Sequence, residues 1–361
     1  MTKREQEILI ILKENPLITQ QELANILGIK RSSVGVHLSN LLKKGYLKGK
    51  GYIINEAPYL VVLGGANVDI VGFTDVPLVM KDSNQGTLKI SMGGVGRNIA
   101  ENLVRLGLNT KLISVIGDDA NGYQLKSHSQ QIGLDILDSL FLKNQPTSVH
   151  LAIMDEHNDM ALGLSAMDIY NQFSLAFIKK KHEILQKAEC IVLDTNMPKA
   201  ILDAVAANYH SQKLFLDAVA GSKALRAKNI LQFLYVLKVN RLEAEILSGL
   251  TIKKTTDVPK LANYFHKIGV KNVCITLGNE GAFYSNSKIN GYIKPQKISV
   301  INANGAGDAF MAGLIFYDLQ NKSLKESASF GMTCAAVTLE HEDNVHPELQ
   351  QKLNTQLKTF K

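Results

Sequence analysis

The sequence predicts an α/β protein, a largely parallel sheet with helices on both faces, preceded by a small helical module. Three observations carry this. From residue 59 onward, short apolar runs alternate with helical segments, and each run ends at a polar residue or a glycine, as buried parallel strands do. The chain has 361 residues, more than one domain usually takes, so two folded units are expected. The net charge of +7 is unevenly spread: residues 1–56 hold nine Lys/Arg against five Asp/Glu. These set the expected domains at 1–56 and 57–361.

In the first module, "REQEILIILKEN" has a helical apolar period that ends before Pro16. "TQQELANILG" opens with Thr19 and Glu22 in capping-box spacing and stops at Gly28. "RSSVGVHLSNLLKKG" reads as a third helix, capped by Ser32 or Ser33 and ended by Gly45. "YLKGKGYII" follows as two short strands around a Gly-Lys-Gly turn. Helix, helix, turn, helix and wing resemble the winged helix-turn-helix modules of bacterial regulators over residues 3–55. No acid lies between Glu22 and Glu56, while Lys30, Arg31, Lys43, Lys44, Lys48 and Lys50 do. An anionic partner follows, double-stranded DNA in the first instance. Arg31, Ser32, Ser33 and His37 are the candidates for the groove, and Lys43, Lys44, Lys48 and Lys50 for phosphates. A solvated basic face, or a module used only for protein contacts or dimerisation, is the alternative.

Apolar residues make up 45% of the chain and aromatics 6%, with no Trp, a globular composition built on aliphatic packing. Cys190, Cys274 and Cys334 lie far apart, the first two in apolar strand-like runs, so buried thiols are expected rather than disulfides or a metal site. No apolar span is long enough for a membrane helix, and "TKREQE" does not fit a secretion signal. The expected location is cytoplasmic, with no membrane partner.

In the larger unit, "YLVVLGGANVDIVG" breaks at two glycines and delivers Asn67 and Asp69. "TKLISVIG", "CIVLDTN", "KLFLDAV", "LYVLKVN" and "NVCITLG" are the later strand-like runs. Their carboxyl ends hold the polar residues, which is where ligands sit in such sheets. "TSVHLAIMD" and "MALGLSAM" flank the turn "EHND" as a hairpin, a candidate lid. The phosphate-binding G-x-x-x-x-G-K-[ST] is absent, and "GGVGRN" does not complete a dinucleotide fingerprint. "NGAGDAFMAG" places Gly305, Ala306 and Gly307 at a helix start, with Asp308 just inside: either a tight helix start with a capping aspartate, or a helix N-terminus whose exposed backbone N–H groups form an anion hole, the reading that the company of the motifs below favours.

Four elements in this order, "GGVGRNIAENLVRLG", "KVNRLEAE", "TLGNEGAF" and "NGAGDAFMAG", resemble the ribokinase-like (PfkB) family of carbohydrate and nucleoside kinases over residues 59–350. The resemblance implies a three-layer sandwich with a small β-lid, and ATP with Mg²⁺ as cofactors. It implies that Asn67, Asp69, Gly93, Gly94 and Asn98 hold the sugar hydroxyls. It assigns Asn240 and Glu243 to Mg²⁺, Thr276, Gly278 and Gly281 to the nucleotide, and Asp308 to the proton of the attacking hydroxyl. Asn302-Ala303 stands where many members have Asp-Thr, in a region that often helps hold a monovalent cation, so dependence on K⁺ stays open. Longer stretches, "DMALGLSAMDIY" and "FLDAVAGSKALRAKNIL" among them, resemble the pseudouridine kinase branch, in which a winged helix also precedes the kinase. The implied reaction is phosphorylation of a ribonucleoside 5′-hydroxyl by a homodimer. The alternatives are another nucleoside or sugar as substrate, and a transcription regulator that uses a kinase-like domain to sense its ligand.

Overall fold

The structure, a computed structural model, describes residues 1–47, 57–157 and 159–359. The chain divides into two compact units, Met1–Pro58 and Tyr59–Lys361.

Three helices build the first unit, Lys3–Glu14, Gln20–Leu27 and Arg31–Lys43. Two reciprocal capping boxes start the first two: Thr2 with Glu5, and Thr19 with Glu22. Gly28, in the left-handed region, ends the second. Ile8, Leu12, Leu23, Val34, Leu38 and Leu41 close the core between them. The third helix begins earlier than its serines suggest. The Ile29 N–H bonds back to the Ala24 carbonyl at 3.0 Å, and the Lys30 carbonyl already accepts from Val34 at 3.2 Å. Lys30 is therefore the cap, without a side-chain bond, and Ser32 and Ser33 lie in the first turn. The expected wing, with Lys48 and Lys50, falls outside the described residues.

The second unit is organised by an eight-stranded sheet in the order Asn290–Ile293, Ala282–Asn286, Asn272–Thr276, Val236–Asn240, Lys213–Asp217, Cys190–Asp194, Leu60–Leu63, Thr110–Ile113. The pairings are parallel from Thr110–Ile113 to Asn272–Thr276, and antiparallel for the last two strands. Alternate residues face opposite layers. Val61 and Leu63 pack with Ile201, Val205, Leu247 and Phe265 from helices on one side. Leu60 and Val62 pack with Ile99, Leu103, Phe310 and Leu314 on the other. Cys190 and Cys274 face this second layer, which also holds Cys334, and all three are buried free thiols.

At Gly64-Gly65 the chain leaves the main sheet. Asn67–Phe73 starts a second, four-stranded sheet in the order Thr87–Gly93, Asn67–Phe73, Val149–Met154, Met160–Ala166. The predicted hairpin thus supplies half of the lid, and the strand carrying Asn67 and Asp69 lies at its centre. Cross-strand partners share a face, so the lid has two distinct sides. One row runs Ser91, Asp69, His150, Ser165; the next runs Ile90, Ile70, Leu151, Leu164. None of the described helices is long and apolar enough to cross a membrane.

Replacing Thr19 by Ala removes a capping hydroxyl, a change that costs about 1 kcal/mol. The amides of Gln20–Leu27 should then exchange with solvent roughly fivefold faster in the full-length protein, with no change in the larger unit. Unaltered exchange would mean that the cap contributes nothing to this helix.

Candidate active site

Strand exits and helix starts converge at the carboxyl edge of the main sheet. Asp69, on the polar side of the lid, accepts from Asn67 Nδ2 at 2.5 Å and from Asn344 Nδ2 at 3.0 Å. Gly93 lies directly against its carboxylate, a position where any Cβ would collide. Burial raises the Asp69 pKa, with His150 and the two amides acting in the opposite direction. Gly94, at φ 95°, packs on the Gly65 carbonyl and starts the Val95–Arg105 helix. This helix presents Asn98, which is buried and donates from Nδ2 to Asp308 Oδ2 at 2.8 Å. The Asn98 Oδ1 is buried and has no partner. The five predicted positions Asn67, Asp69, Gly93, Gly94 and Asn98 are thus brought together, and Asn98 joins them to Asp308.

Asp308 sits in the first turn of the Ala306–Leu319 helix. Gly305 caps that helix at φ 77°, and the Asn344 backbone carbonyl occupies the space a Cβ would need. Gly307 faces the Lys238 ammonium, which would lie 2.6 Å from an added Cβ. Lys238 is itself buried and donates to Asp217 Oδ2 at 2.7 Å. Burial and the neighbouring Asp217 push the Asp308 pKa up to about 8, while Lys238 and Asn98 act in the opposite direction. Its environment therefore disfavours the ionised form of Asp308 with nothing bound.

Asn240 ends one central strand and caps the Arg241–Ser248 helix. Its Oδ1 accepts from the Glu243 N–H at 2.9 Å, and Glu243 Oε2 accepts from the Asn240 N–H at 2.8 Å. The Asn-x-x-Glu spacing is thus also a capping box. Burial and Asp217 raise the Glu243 pKa. No group of three metal-type side chains forms a closed cage among the described residues. Mg²⁺ needs none when phosphates and water fill its shell. The donor chemistry fits such a cation: Asp194, Asp217, Glu243 and Asp308 are buried near one another, as their mutual influence shows, with Lys238 among them. Beside them a cavity of about 270 Å³ is lined by Asn240, Thr276 and Gly278, together with Arg241, Thr255 and Glu280. Gly281 closes the same turn, its N–H bonded to the Gly278 carbonyl at 3.1 Å.

Five residues of this edge carry no sequence assignment. Asp194, Asn196, Asp217 and Lys238 were visible as polar ends of apolar runs, the one signal that marks them. Asn344 stands in the irregular "EHEDNVHP", which offers no periodicity. Asn302 donates from Nδ2 to the Glu342 carbonyl at 2.8 Å, so its amide holds the 340s loop in place. In the first unit, Arg31, Ser32 and Lys43 are exposed, whereas Ser33 and His37 are half-buried. Lys44 is engaged elsewhere, donating to both Glu5 oxygens at 2.8 and 2.9 Å.

Residues 57–351 match the pfkB family of carbohydrate kinases, and residues 1–48 match a winged helix-turn-helix DNA-binding family. The chain is 35% identical over 339 residues to the sugar kinase YeiI of Escherichia coli K12, covering 94% of each protein. It is 35% identical over 297 residues to the pseudouridine kinase of the same strain, covering 82% of this chain and 95% of that one. The crystal structure of a candidate sugar kinase from Clostridium perfringens superposes with a TM-score of 0.74 at 36% identity, covering 84% of this chain and 97% of that one. The chain belongs to the pfkB carbohydrate kinase family, phosphotransferases that use ATP and Mg²⁺ to phosphorylate an alcohol group of a sugar or nucleoside.

Proposed function

We propose that the acceptor is a ribonucleoside, pseudouridine before others, phosphorylated on its 5′-hydroxyl. The observation that carries the reading is Asn98: one end of its amide holds Asp308, and the other is a buried acceptor with no partner. A buried carbonyl oxygen left unpaired is costly, and a sugar hydroxyl satisfies it while lying next to the base. Likeness to the pseudouridine kinase across 95% of that protein supports the choice of nucleoside.

Asp69, Gly93 and Gly94 orient the ribose, with side-chain-free backbone allowing the ring to lie close. Asp308 accepts the hydroxyl proton as the oxygen attacks the terminal phosphorus of ATP, whose bond to the bridging oxygen breaks to release ADP. The N–H groups of Gly305, Ala306 and Gly307 receive the charge that develops on the migrating group, and Lys238 adds a fixed positive charge beneath Gly307. Thr276, Gly278 and Gly281 border the nucleotide. Asn240 and Glu243 would hold Mg²⁺, through water, and the ion would supply neutralisation of the phosphate charge.

The first unit binds double-stranded DNA through the exposed face of Arg31–Lys43, where Arg31, Ser32, Val36 and Lys43 point outward. The protein is a homodimer, joined through the outer side of the lid. Leu88, Ile90, Leu162 and Leu164 are exposed there, forming with Ile70 and Leu151 an uncharged surface on a sheet face that covers no core.

Replacing Asp308 by Asn should cut kcat by about two orders of magnitude or more and leave nucleoside binding nearly intact. In the parent protein, kcat/KM should fall as pH drops below about 8, because only the ionised carboxylate accepts the proton and its pKa is raised. Near-normal turnover of the Asn variant would remove Asp308 from the chemistry.

Pseudouridine should be used with a higher kcat/KM than uridine, from which it differs by one exposed ring N–H. A site built to pair with that donor rejects the analogue lacking it by a large factor. Equal use of the two nucleosides, or activity confined to free sugars, would overturn the nucleoside assignment and leave the kinase standing.

DNA from the protein's own locus should bind with an affinity that falls about 0.9 log units per log unit of salt for each neutralised phosphate. Arg31→Ala and Lys43→Ala should flatten that slope. Leu164→Glu, which places a charge on the lid's outer face, should sediment as a monomer and bind DNA less tightly. Absence of binding at low salt would reduce the first unit to a protein-contact element, and an unchanged sedimentation coefficient would refute the lid dimer.

A further inference from the structure

The polar row of the lid continues past the sugar site. Asp69 stands opposite His150, and His150 opposite Ser165, with Nδ1 3.1 Å from the Ser165 hydroxyl. Ser165 lies on the wall of a second cavity, of about 450 Å³, whose other walls include Asp168, Asn171, Asn196, Lys223 and Arg226. The floor leads the same way. Gly94 packs on the Gly65 carbonyl, and Gly65 in turn lies against the Asn196 amide. A ligand held by its hydroxyls at Asp69 and Gly94 therefore has continuous polar walls, above and below, leading into this cavity. The nucleotide cavity is separate and shares none of these residues.

The chemistry of the second cavity is that of a site for a neutral polar ring. Lys223 Nζ donates to Asn196 Oδ1 at 2.6 Å and sits 3.3 Å from Met167 Sδ, so its contacts are an amide and a thioether. Burial lowers its pKa, against the pull of Asp194. Arg226 spends one nitrogen on the carbonyls of Thr195 and Asn196, each at 3.1 Å. An ammonium in this setting gains from a further acceptor. A phosphate would provide one, but the Asp168 carboxylate on the same wall opposes an anion and instead offers to accept an N–H. A pyrimidinedione presents both ring carbonyls and ring N–H groups, and one such ring fits the volume.

We infer that this cavity is the base end of the acceptor site, taking a pyrimidinedione whose ring carbonyl accepts from Lys223 and whose ring N–H donates to Asp168. The inference rests on the nucleoside reading above and adds the residues that select the base.

Steady-state kinetics of the full-length protein with pseudouridine, uridine, ribose and ribose 5-phosphate, at saturating ATP and Mg²⁺, test it. Lys223→Met and the hydrogen-bonding Lys223→Gln should raise the KM for pseudouridine about ten- to a hundredfold, the range for losing a charged hydrogen bond. Their KM for ATP should stay within about twofold, which also reports an intact fold. Asp168→Asn should narrow the preference for pseudouridine over uridine by about tenfold, a change in selectivity that a merely structural role does not produce. If the parent uses pseudouridine and all three variants keep its KM and selectivity, the base end lies elsewhere and the nucleoside reading stands. If the parent phosphorylates only ribose or ribose 5-phosphate, both fall.

Discussion

The architecture of the site depends on one buried carboxylate. Asp194 ends a central strand, and its Oδ2 accepts from the N–H groups of Gly65 and Gly96, each at 2.7 Å. Its Oδ1 accepts from the Asn196 N–H, also at 2.7 Å. Three segments distant in sequence are thereby joined: the point where the chain leaves the main sheet for the lid, the start of the helix that carries Asn98, and the entrance to the second cavity. A carboxylate at this depth is expensive unless its lone pairs are used, and the three donors offset that cost. They do not cancel it, since burial still lifts the Asp194 pKa to about 6. The glycines follow from the same constraint, because a side chain on Gly64 or Gly96 would occupy the space of the Asp194 carboxylate.

The carboxylates around Asp194 give the site its electrical character. Asp217 lifts the pKa of both Asp308 and Glu243, and Lys238 opposes it at both. With more buried negative than positive charge, the edge is poised to gain from a cation and to hold Asp308 as a weak acid until one arrives. That is the property a proton acceptor needs. A base of ordinary carboxylate strength would be ionised at neutral pH and too feeble to take a proton from an alcohol, whereas a raised pKa brings the two closer in affinity. The same crowding explains why Lys238 is engaged by Asp217: an ammonium left free beneath the anion hole would be as costly as an unpaired carboxylate.

Much of this was legible in the sequence, for physical reasons. Apolar runs with polar ends marked the parallel strands, and the glycine clusters marked places where backbone must approach a ligand or another chain segment. The Thr19–Glu22 spacing located a helix start to the residue. What escaped were interactions set by tertiary approach. Asp194, Asp217 and Lys238 look like ordinary strand ends until parallel pairing places them side by side. Asn344 bonds to Asp69, 275 positions away, from a loop with no pattern. Ser32 and Ser33 resembled caps because serine favours that position. The bond from Ile29 to Ala24 nevertheless closes the preceding turn so tightly that Lys30 is the only residue left to fill it. His37, a candidate for the groove, is half-buried on a helix whose Val34, Leu38 and Leu41 pack into the core, a degree of exposure that the sequence pattern alone did not reveal.

The lid carries two requirements on one set of strands. The row through Asp69, His150 and Ser165 forms the lid's polar face, and the neighbouring row through Ile70, Leu151 and Leu164 lies on the opposite face. Because side chains alternate strictly along a strand, a register slip of one residue would exchange the polar and apolar rows between the two faces. The polar face and the apolar face therefore cannot vary independently. Every residue that sharpens one face is bounded on either side by residues of the other. A partner seated on the outer face would fix the register of the central strands. The same contact would hold Asp69 against Gly93 on the sugar side. If the lid dimer and the sugar site are as proposed, association would act on that site through strand geometry, with no need for a residue of the partner at the ligand.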